Sequence, residues 1–171
     1  MKNLERVFVG LGSNVGNRPA RLRAAVRALD ALPGTRVVRV SPVYETSAVG
    51  MPQRDFLNAA SELRTELTPM ELLASVKSAE RRLGRRRRKK WAPREIDLDI
   101  LFFGRRVLRQ GSLRVPHPRA AERKFVLRPL ADLAPRFRDP SSGRTAEVLL
   151  HRLTDPDQSV RLFTRNLLWK K

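Results

Sequence analysis

A chain of 171 residues with 41% apolar content is long enough to bury one sizeable core, and it contains no cysteine. The missing thiols exclude a disulfide-stapled scaffold and any thiolate metal site. Lys and Arg number 36 against 17 Asp and Glu, a net charge of +19, which favours an anionic partner such as polyphosphate, nucleic acid or an acidic surface.

No repeat, low-complexity linker or composition shift divides the chain, so one domain over residues 1–171 is expected. The N-terminus MKNLERVFVGLGSN has too short an apolar run for a signal peptide. No apolar stretch approaches the roughly 18 residues of a membrane span. A cytoplasmic protein without a membrane partner is the expectation.

In chain order, RVFVGLG (6–12) reads as a buried strand that stops in a glycine turn. The helix NRPARLRAAVRALDAL (17–32) carries Leu22, Ala25, Val26, Leu29 and Leu32 on one face, and Pro33-Gly34 follows it. TRVVRVSPVYET (35–46) reads as one strand and DFLNAASELRTEL (55–67) as another. In the next helix Thr68, Pro69 and Glu71 predict a capping box with proline in the first turn. Its apolar stripe is Leu72, Leu73, Val76, Ala79 and Leu83, and Gly84 is the natural stop.

A basic loop comes next: residues 81–94, RRLGRRRRKKWAPR, hold nine cations and no acid. A strand over 96–103, a glycine at 104 and a short hairpin arm at 106–108 come after it. Beyond them loops and short helices are expected, with a helix and a tail of unassigned role over 144–171. The order strand, helix, strand, strand, helix, strand predicts an α+β fold, a ferredoxin-like split βαβ sandwich with helices on one face of a mostly antiparallel sheet.

The strand IDLDILFF poses a chemical problem, because ionised carboxylates are rarely left among apolar residues without partners. Asp97 and Asp99, two apart on a strand, share a face with α-carbons roughly 6–7 Å apart. Such a pair can hold one hard cation or bridge two Mg²⁺ ions. The plain alternative is pairing with arginines, and Arg94 is at hand. GLGSNVGN (10–17) has neither the dinucleotide-binding nor the P-loop spacing; it reads as a turn, with Ser13 and Asn14 as possible edges of a site. His117 lies between two prolines, near Arg119 and Arg123, where it is either structural or a donor to phosphate. Phe56 and Phe125 are either core or two faces around a planar heterocycle whose edge Asn58 would read.

The ordered set GLGSNVGN, SPVYETSAVGMPQRDFLNA, PMELL, E-x-x-LGR, WAPREIDLDILFFG and VPHPRAAERKFVLRPL resembles the 6-hydroxymethyl-7,8-dihydropterin pyrophosphokinase family, over about residues 6–135. The resemblance implies a ferredoxin-like α+β sandwich that passes the pyrophosphoryl unit of ATP to the hydroxymethyl group of the dihydropterin in folate biosynthesis, releasing AMP. It implies that Asp97 and Asp99 hold two Mg²⁺ ions that arrive with ATP. It implies a nucleotide site of Lys77, Glu80, Arg87, Trp91, Arg94, His117 and Arg123, with Arg85 heading a mobile catalytic loop. It implies a pterin pocket of Thr46, Val49, Phe56, Asn58 and Phe125, the two rings sandwiching the bicycle.

Some positions depart from the family's pattern. Ser47 and Ala48 stand where proline and glycine-rich sequence is usual, Lys77 where some members carry glutamine, and Pro118 where others have tyrosine; WAPR replaces the commoner W-G-P-R. The implied chemistry is in-line attack by a primary hydroxyl, with Asp97, Asp99, Arg85 and Arg94 positioning the phosphates and neutralising charge. No strong general base is evident. A monomer without specific nucleic-acid binding is expected. The rival readings are a basic RNA-binding module of the same element order, which lacks its aromatic strand pattern, and a two-metal nuclease, which normally needs more carboxylates.

Overall fold

The computed structural model describes residues 4–48, 52–86 and 92–165. Its elements run β1 (Glu5–Ser13), α1 (Arg18–Asp30), β2 (Thr35–Val40), β3 (Val43–Thr46), β4 (Phe56–Thr65), α2 (Pro69–Arg82), β5 (Asp97–Phe103), β6 (Leu108–Gln110), β7 (Leu113–Val115), α3 (Lys124–Leu133), α4 (Ala146–Arg152) and β8 (Val160–Thr164). The main sheet has six strands in the order β5-β1-β4-β3-β8, with β2 also on β4. Every pair in it is antiparallel. The fold is an α+β sandwich of the ferredoxin-like kind.

Alternation along β1 divides two cores. Val7, Val9 and Leu11 face α1 and α2, packing with Leu22, Val26, Leu72, Val76 and Leu98. Phe8 faces the other way, with Leu101, Val126 and Leu130. The helices therefore cover both faces of the sheet, not one: α3 and α4 pack on the second side. The capping box of α2 forms as the spelling requires, Thr68 accepting from Glu71 N and Glu71 reaching back to Thr68 N. Leu72, Val76 and Ala79 are buried, and Gly84 turns with φ +89°.

Four boundaries differ from the sequence reading, each for a local reason. The segment 35–46 is two strands because Pro42 has no N–H for the ladder. There the Ser41 hydroxyl accepts from Ala60 N at 2.9 Å, bridging the break. Next, β1 does not stop in a glycine turn: Gly10 and Gly12 lie inside the strand, and of the three glycines in 10–17 Gly16 alone has a positive φ, 66°. The hairpin expected at 106–108 instead consists of Leu108–Gln110 and Leu113–Val115, turning at Gly111. Finally, the C-terminal part adds a strand as well as a helix, since β8 pairs with β3 at the sheet edge.

A β-bulge in β5 decides which of its side chains reach each face of the sheet. The β1–β5 register shifts between Phe8 and Val9, which pair with Phe102 and Ile100, so Leu101 is the extra residue. Asp97, Asp99 and Leu101 share one face, while Leu98, Ile100 and Phe103 enter the opposite core. The bulge lets an unbroken apolar run serve both sides of the sheet. The Leu101 carbonyl then accepts from His117 N at 2.8 Å.

Candidate active site

A cleft of about 740 Å³ opens on the α3 side of the sheet. Its floor comes from three neighbouring strands: Asp97 and Asp99 on β5, Gly10 and Gly12 on β1, and Asn58 on β4. The register sets Gly12 between Asp97 and Asn58, and Gly10 beside Asp99. Two glycines there leave the space between the carboxylates and Asn58 clear of side chains. A β-carbon on Gly12 would lie 2.8 Å from Asn58 Oδ1. The other amide atom of Asn58, Nδ2, donates to Thr46 Oγ1 at 2.7 Å.

At one end of the floor the carboxylates meet a cluster of cations. Asp97 Oδ1 accepts from Arg85 Nη1 at 2.7 Å and from Arg94 Nη1 at 3.2 Å. Arg85 also pairs with Glu80. Burial weighs against the Arg85 charge, yet Asp97 and Glu80 outweigh it and raise its pKa. Asp99 has a more distant partner, Lys77 Nζ at 3.9 Å. Burial raises the Asp99 carboxyl above its ordinary range, and the like charge of Asp97 adds to that. The arginine-pairing alternative is therefore realised at Asp97, where two guanidiniums share one oxygen.

Glu80 and Lys77 do not line the cleft. Glu80 is 2% exposed; its Oε1 accepts from the Leu98 backbone N–H at 2.6 Å, and Lys77 Nζ lies 3.2 Å from Oε2. Lys77 also donates to the Leu98 carbonyl at 3.1 Å. Burial raises the Glu80 carboxyl despite these cations. The two side chains bracket Leu98, the residue between the cleft aspartates, and so tie β5 to α2.

On the opposite wall, burial lowers the His117 pKa, although Asp99 pulls it upward. Its Nδ1 accepts from Arg119 N at 3.2 Å, which puts the proton of the neutral ring on Nε2. Arg123 also lines the cleft, and burial followed by repulsion from Arg119 lowers its pKa. Its guanidinium carbon lies 5.4 Å from the Phe125 ring centre.

Of the residues singled out in the sequence, Thr46, Phe56, Asn58, Arg85, Arg94, Asp97, Asp99, His117, Arg123 and Phe125 meet on this cleft. Val49, Arg87 and Trp91 lie outside the described residues. Ser13 and Asn14, read in the sequence as possible edges of a site, hold its walls together with Arg18, which sequence reasoning missed. Asn14 Oδ1 accepts from Arg94 N at 2.8 Å, and its Nδ2 donates to Gln53 Oε1 at 2.9 Å and the Arg54 carbonyl at 3.0 Å. Ser13 Oγ donates to the Glu95 carbonyl at 2.7 Å. Arg18, buried at the start of α1, donates to the Asp55 carbonyl at 2.7 Å and pairs with Glu45 at 2.9 Å. The Ser13-Asn14 pair was a usable signal, since short polar side chains just past a strand bond to nearby backbone. Arg18 carried none, being one arginine among many.

Comparison with known proteins agrees with this geometry. Residues 8–135 match the family described as 7,8-dihydro-6-hydroxymethylpterin-pyrophosphokinase (HPPK). The chain is similar to the 2-amino-4-hydroxy-6-hydroxymethyldihydropteridine pyrophosphokinases of Synechocystis sp., 43% identical over 145 residues covering 85% of this chain and 74% of the relative, and of Bacillus subtilis, 47% identical over 127 residues covering 74% and 76%. The fold is similar to that of Plasmodium falciparum HPPK-DHPS solved with pterin and p-hydroxybenzoate, with a TM-score of 0.72 at 14% identity. That match takes in 89% of this chain but 43% of the longer Plasmodium chain. The chain belongs to the HPPK family.

Proposed function

We infer that the chain transfers pyrophosphate from ATP to the hydroxymethyl group of 6-hydroxymethyl-7,8-dihydropterin, giving AMP and the pterin diphosphate for folate biosynthesis. The observation that carries this reading is the row Asp97–Gly12–Asn58 across β5, β1 and β4. It joins a metal-binding type of carboxylate pair to an amide that can read a heterocycle edge, with a side-chain-free gap between them.

The donors suit a hard divalent cation. Asp97 and Asp99 offer oxygens on one face, and burial, with the like charge of Asp97 added, raises the Asp99 carboxyl, so a divalent cation there would favour its ionised form. Among the described residues no group of three or more His, Cys, Asp or Glu side chains converges, so phosphate oxygens and water must complete the coordination. Two Mg²⁺ ions brought by ATP fit that requirement; when bound, they neutralise the polyphosphate and hold its β-phosphorus for in-line attack.

The rest of the work falls to the chain itself. Arg85 and Arg94 both bond Asp97 Oδ1; a cation held by that oxygen would compete with them, and their guanidiniums would then be available to the transferring group and the leaving AMP. Permanent charge and a planar fork of donors suit arginine to that role. His117 donates from Nε2, and Arg123 adds charge on the opposite wall. Lys77 and Glu80 act from behind the cleft by placing Leu98, and therefore the aspartates on either side of it. Phe56 and Phe125 sandwich the pterin, with Asn58 and Thr46 at its edge. The chain acts as a monomer of one pyrophosphokinase domain. Among the described residues no helix is long and apolar enough to cross a membrane.

The direct test is incubation of the purified protein with Mg-ATP and hydroxymethyl-dihydropterin. AMP and pterin diphosphate are expected in equal amounts. ATP consumption without AMP, or none at all, overturns the reading.

A further inference from the structure

The cleft has one wall that the family-matched stretch, which ends at residue 135, does not contain. Asp155, Asp157 and Gln158, from the segment between α4 and β8, line it at the end where Thr46 and Phe125 stand. The segment is attached at both ends to opposite sides of that opening. On one side Ser47 N donates to the Ser159 carbonyl at 3.3 Å, Ser47 Oγ donates to the Asp157 carbonyl at 3.2 Å, and Ser159 N donates back to Ser47 Oγ at 3.2 Å. The β3–β8 ladder continues this seam, with Thr46 opposite Val160.

On the other side two side chains make the attachment, Gln158 and Lys124. Gln158 Oε1 accepts from Lys124 N at 2.7 Å, and its Nε2 donates to the Glu122 carbonyl at 3.0 Å and to Asp155 Oδ2 at 2.9 Å. Lys124 is the first residue of α3, and its cap residue Arg123 provides no side-chain hydrogen bond. The N–H groups of a first helical turn have no partner within the helix, so Gln158 supplies from outside what the local sequence lacks. Lys124 Nζ returns a bond to the Asp155 carbonyl. Arg123 and Phe125, the residues flanking Lys124, both line the cleft.

We propose that residues 155–160 form a strap across the pterin end of the cleft and that Gln158 is a positioning residue: by fixing the start of α3 against the end of β3 it sets the gap between Phe125 and the Thr46–Asn58 edge. The proposal rests on the reading of this end of the cleft as a pterin site. A planar bicycle between two walls is sensitive to their spacing, since stacking and edge hydrogen bonds both fail with a small splay. Among the described residues Asp97, Asp99, Arg85 and Arg94 make no hydrogen bond or ion pair with this strap, whereas Arg123, the cap residue of α3, lies between its two anchor points at Glu122 and Lys124.

The test compares wild type with Gln158→Ala, and with Ser47→Ala at the strap's other attachment, by steady-state kinetics, pterin fluorescence titration and thermal melting. In each variant the KM and Kd for hydroxymethyl-dihydropterin are expected to rise about tenfold, while the KM for ATP, which Arg123 at the start of α3 can feel, rises by no more than about threefold and kcat at saturation stays within about twofold. A role confined to stability lowers Tm and active fraction and leaves both KM values unchanged; that outcome overturns the proposal, as do equal rises in the two KM values. If Gln158→Ala does not fold, Ser47→Ala decides by the same criteria. A wild-type protein that binds ATP but no pterin removes the underlying reading, and the strap's role with it; a wild type that binds both, with variants that match it, removes the strap's role alone.

Discussion

Asn58 Oδ1 occupies the space into which a β-carbon on Gly12 would project, 2.8 Å away on the neighbouring strand. The smallest possible addition to β1 therefore displaces the amide expected to read the pterin. Gly12→Ala should raise the KM for the pterin by about tenfold, roughly 1.4 kcal/mol, with Tm lowered by only a few degrees. An unchanged pterin KM in a folded Gly12→Ala protein would separate Asn58 from substrate recognition.

Removing a cleft carboxylate tests the metal assignment. Asp97→Ala should abolish Mg²⁺-dependent turnover and leave the far-ultraviolet circular dichroism unaltered, because Asp97 is on the cleft face and not in either core. Calorimetry with a non-hydrolysable ATP analogue should lose its magnesium-dependent component. Wild-type activity in this variant would return the aspartates to the role of arginine partners.

Arg85 and Glu80 should separate cleanly. Arg85→Ala is expected to lower kcat by at least about a hundredfold with a smaller effect on ATP affinity, the pattern of an interaction made chiefly in the transition state. A defect confined to ATP affinity would make Arg85 a binding residue. Glu80→Ala should act first on stability, by about 1–3 kcal/mol, because it strands the buried Leu98 N–H. Denaturant melts of the two variants distinguish the roles.

Acid stability should report on Glu62, far from the cleft chemistry. Burial raises its carboxyl, but hydrogen bonds and charge from Arg6 and Arg39 outweigh this and hold it below its ordinary value of 4.5. A depressed folded-state value means that the unfolded chain binds the extra proton, so this stabilisation is fully present above 4.5 and is lost as pH falls through the folded-state value. Glu62→Gln should cost about 1–3 kcal/mol near neutrality, and the gap to wild type should close as pH drops below 4.5. A constant gap across that range would show that the pair's charge contributes nothing.

How far the molecule could be read in advance depended on how local the cause was. The α2 helix was legible in its spelling, since Thr68, Pro69, Glu71 and Gly84 act within a turn of themselves. Asp97 and Asp99 were legible because period-two geometry puts them together whatever their neighbours. The splitting of 35–46 was encoded at Pro42, but its repair by the Ser41 hydroxyl depends on Ala60, nineteen residues away. The resemblance sets Glu80 in the nucleotide site, yet long-range packing buries it against the Leu98 N–H of β5. Gln158 carried no local signal, because its partners at Glu122 and Lys124 are brought to it only by the folded chain.

The extra residue in β5 has a further effect on alignment. Asp97 and Asp99 lie before Leu101 on the same strand, and His117 hangs from the Leu101 carbonyl. The carboxylates and the imidazole are thus indexed to a single irregularity, so their relative placement is inherited from one backbone feature. Deleting any one residue between 99 and 103 would straighten the strand and detach the histidine loop, dismantling two sides of the cleft at a single stroke.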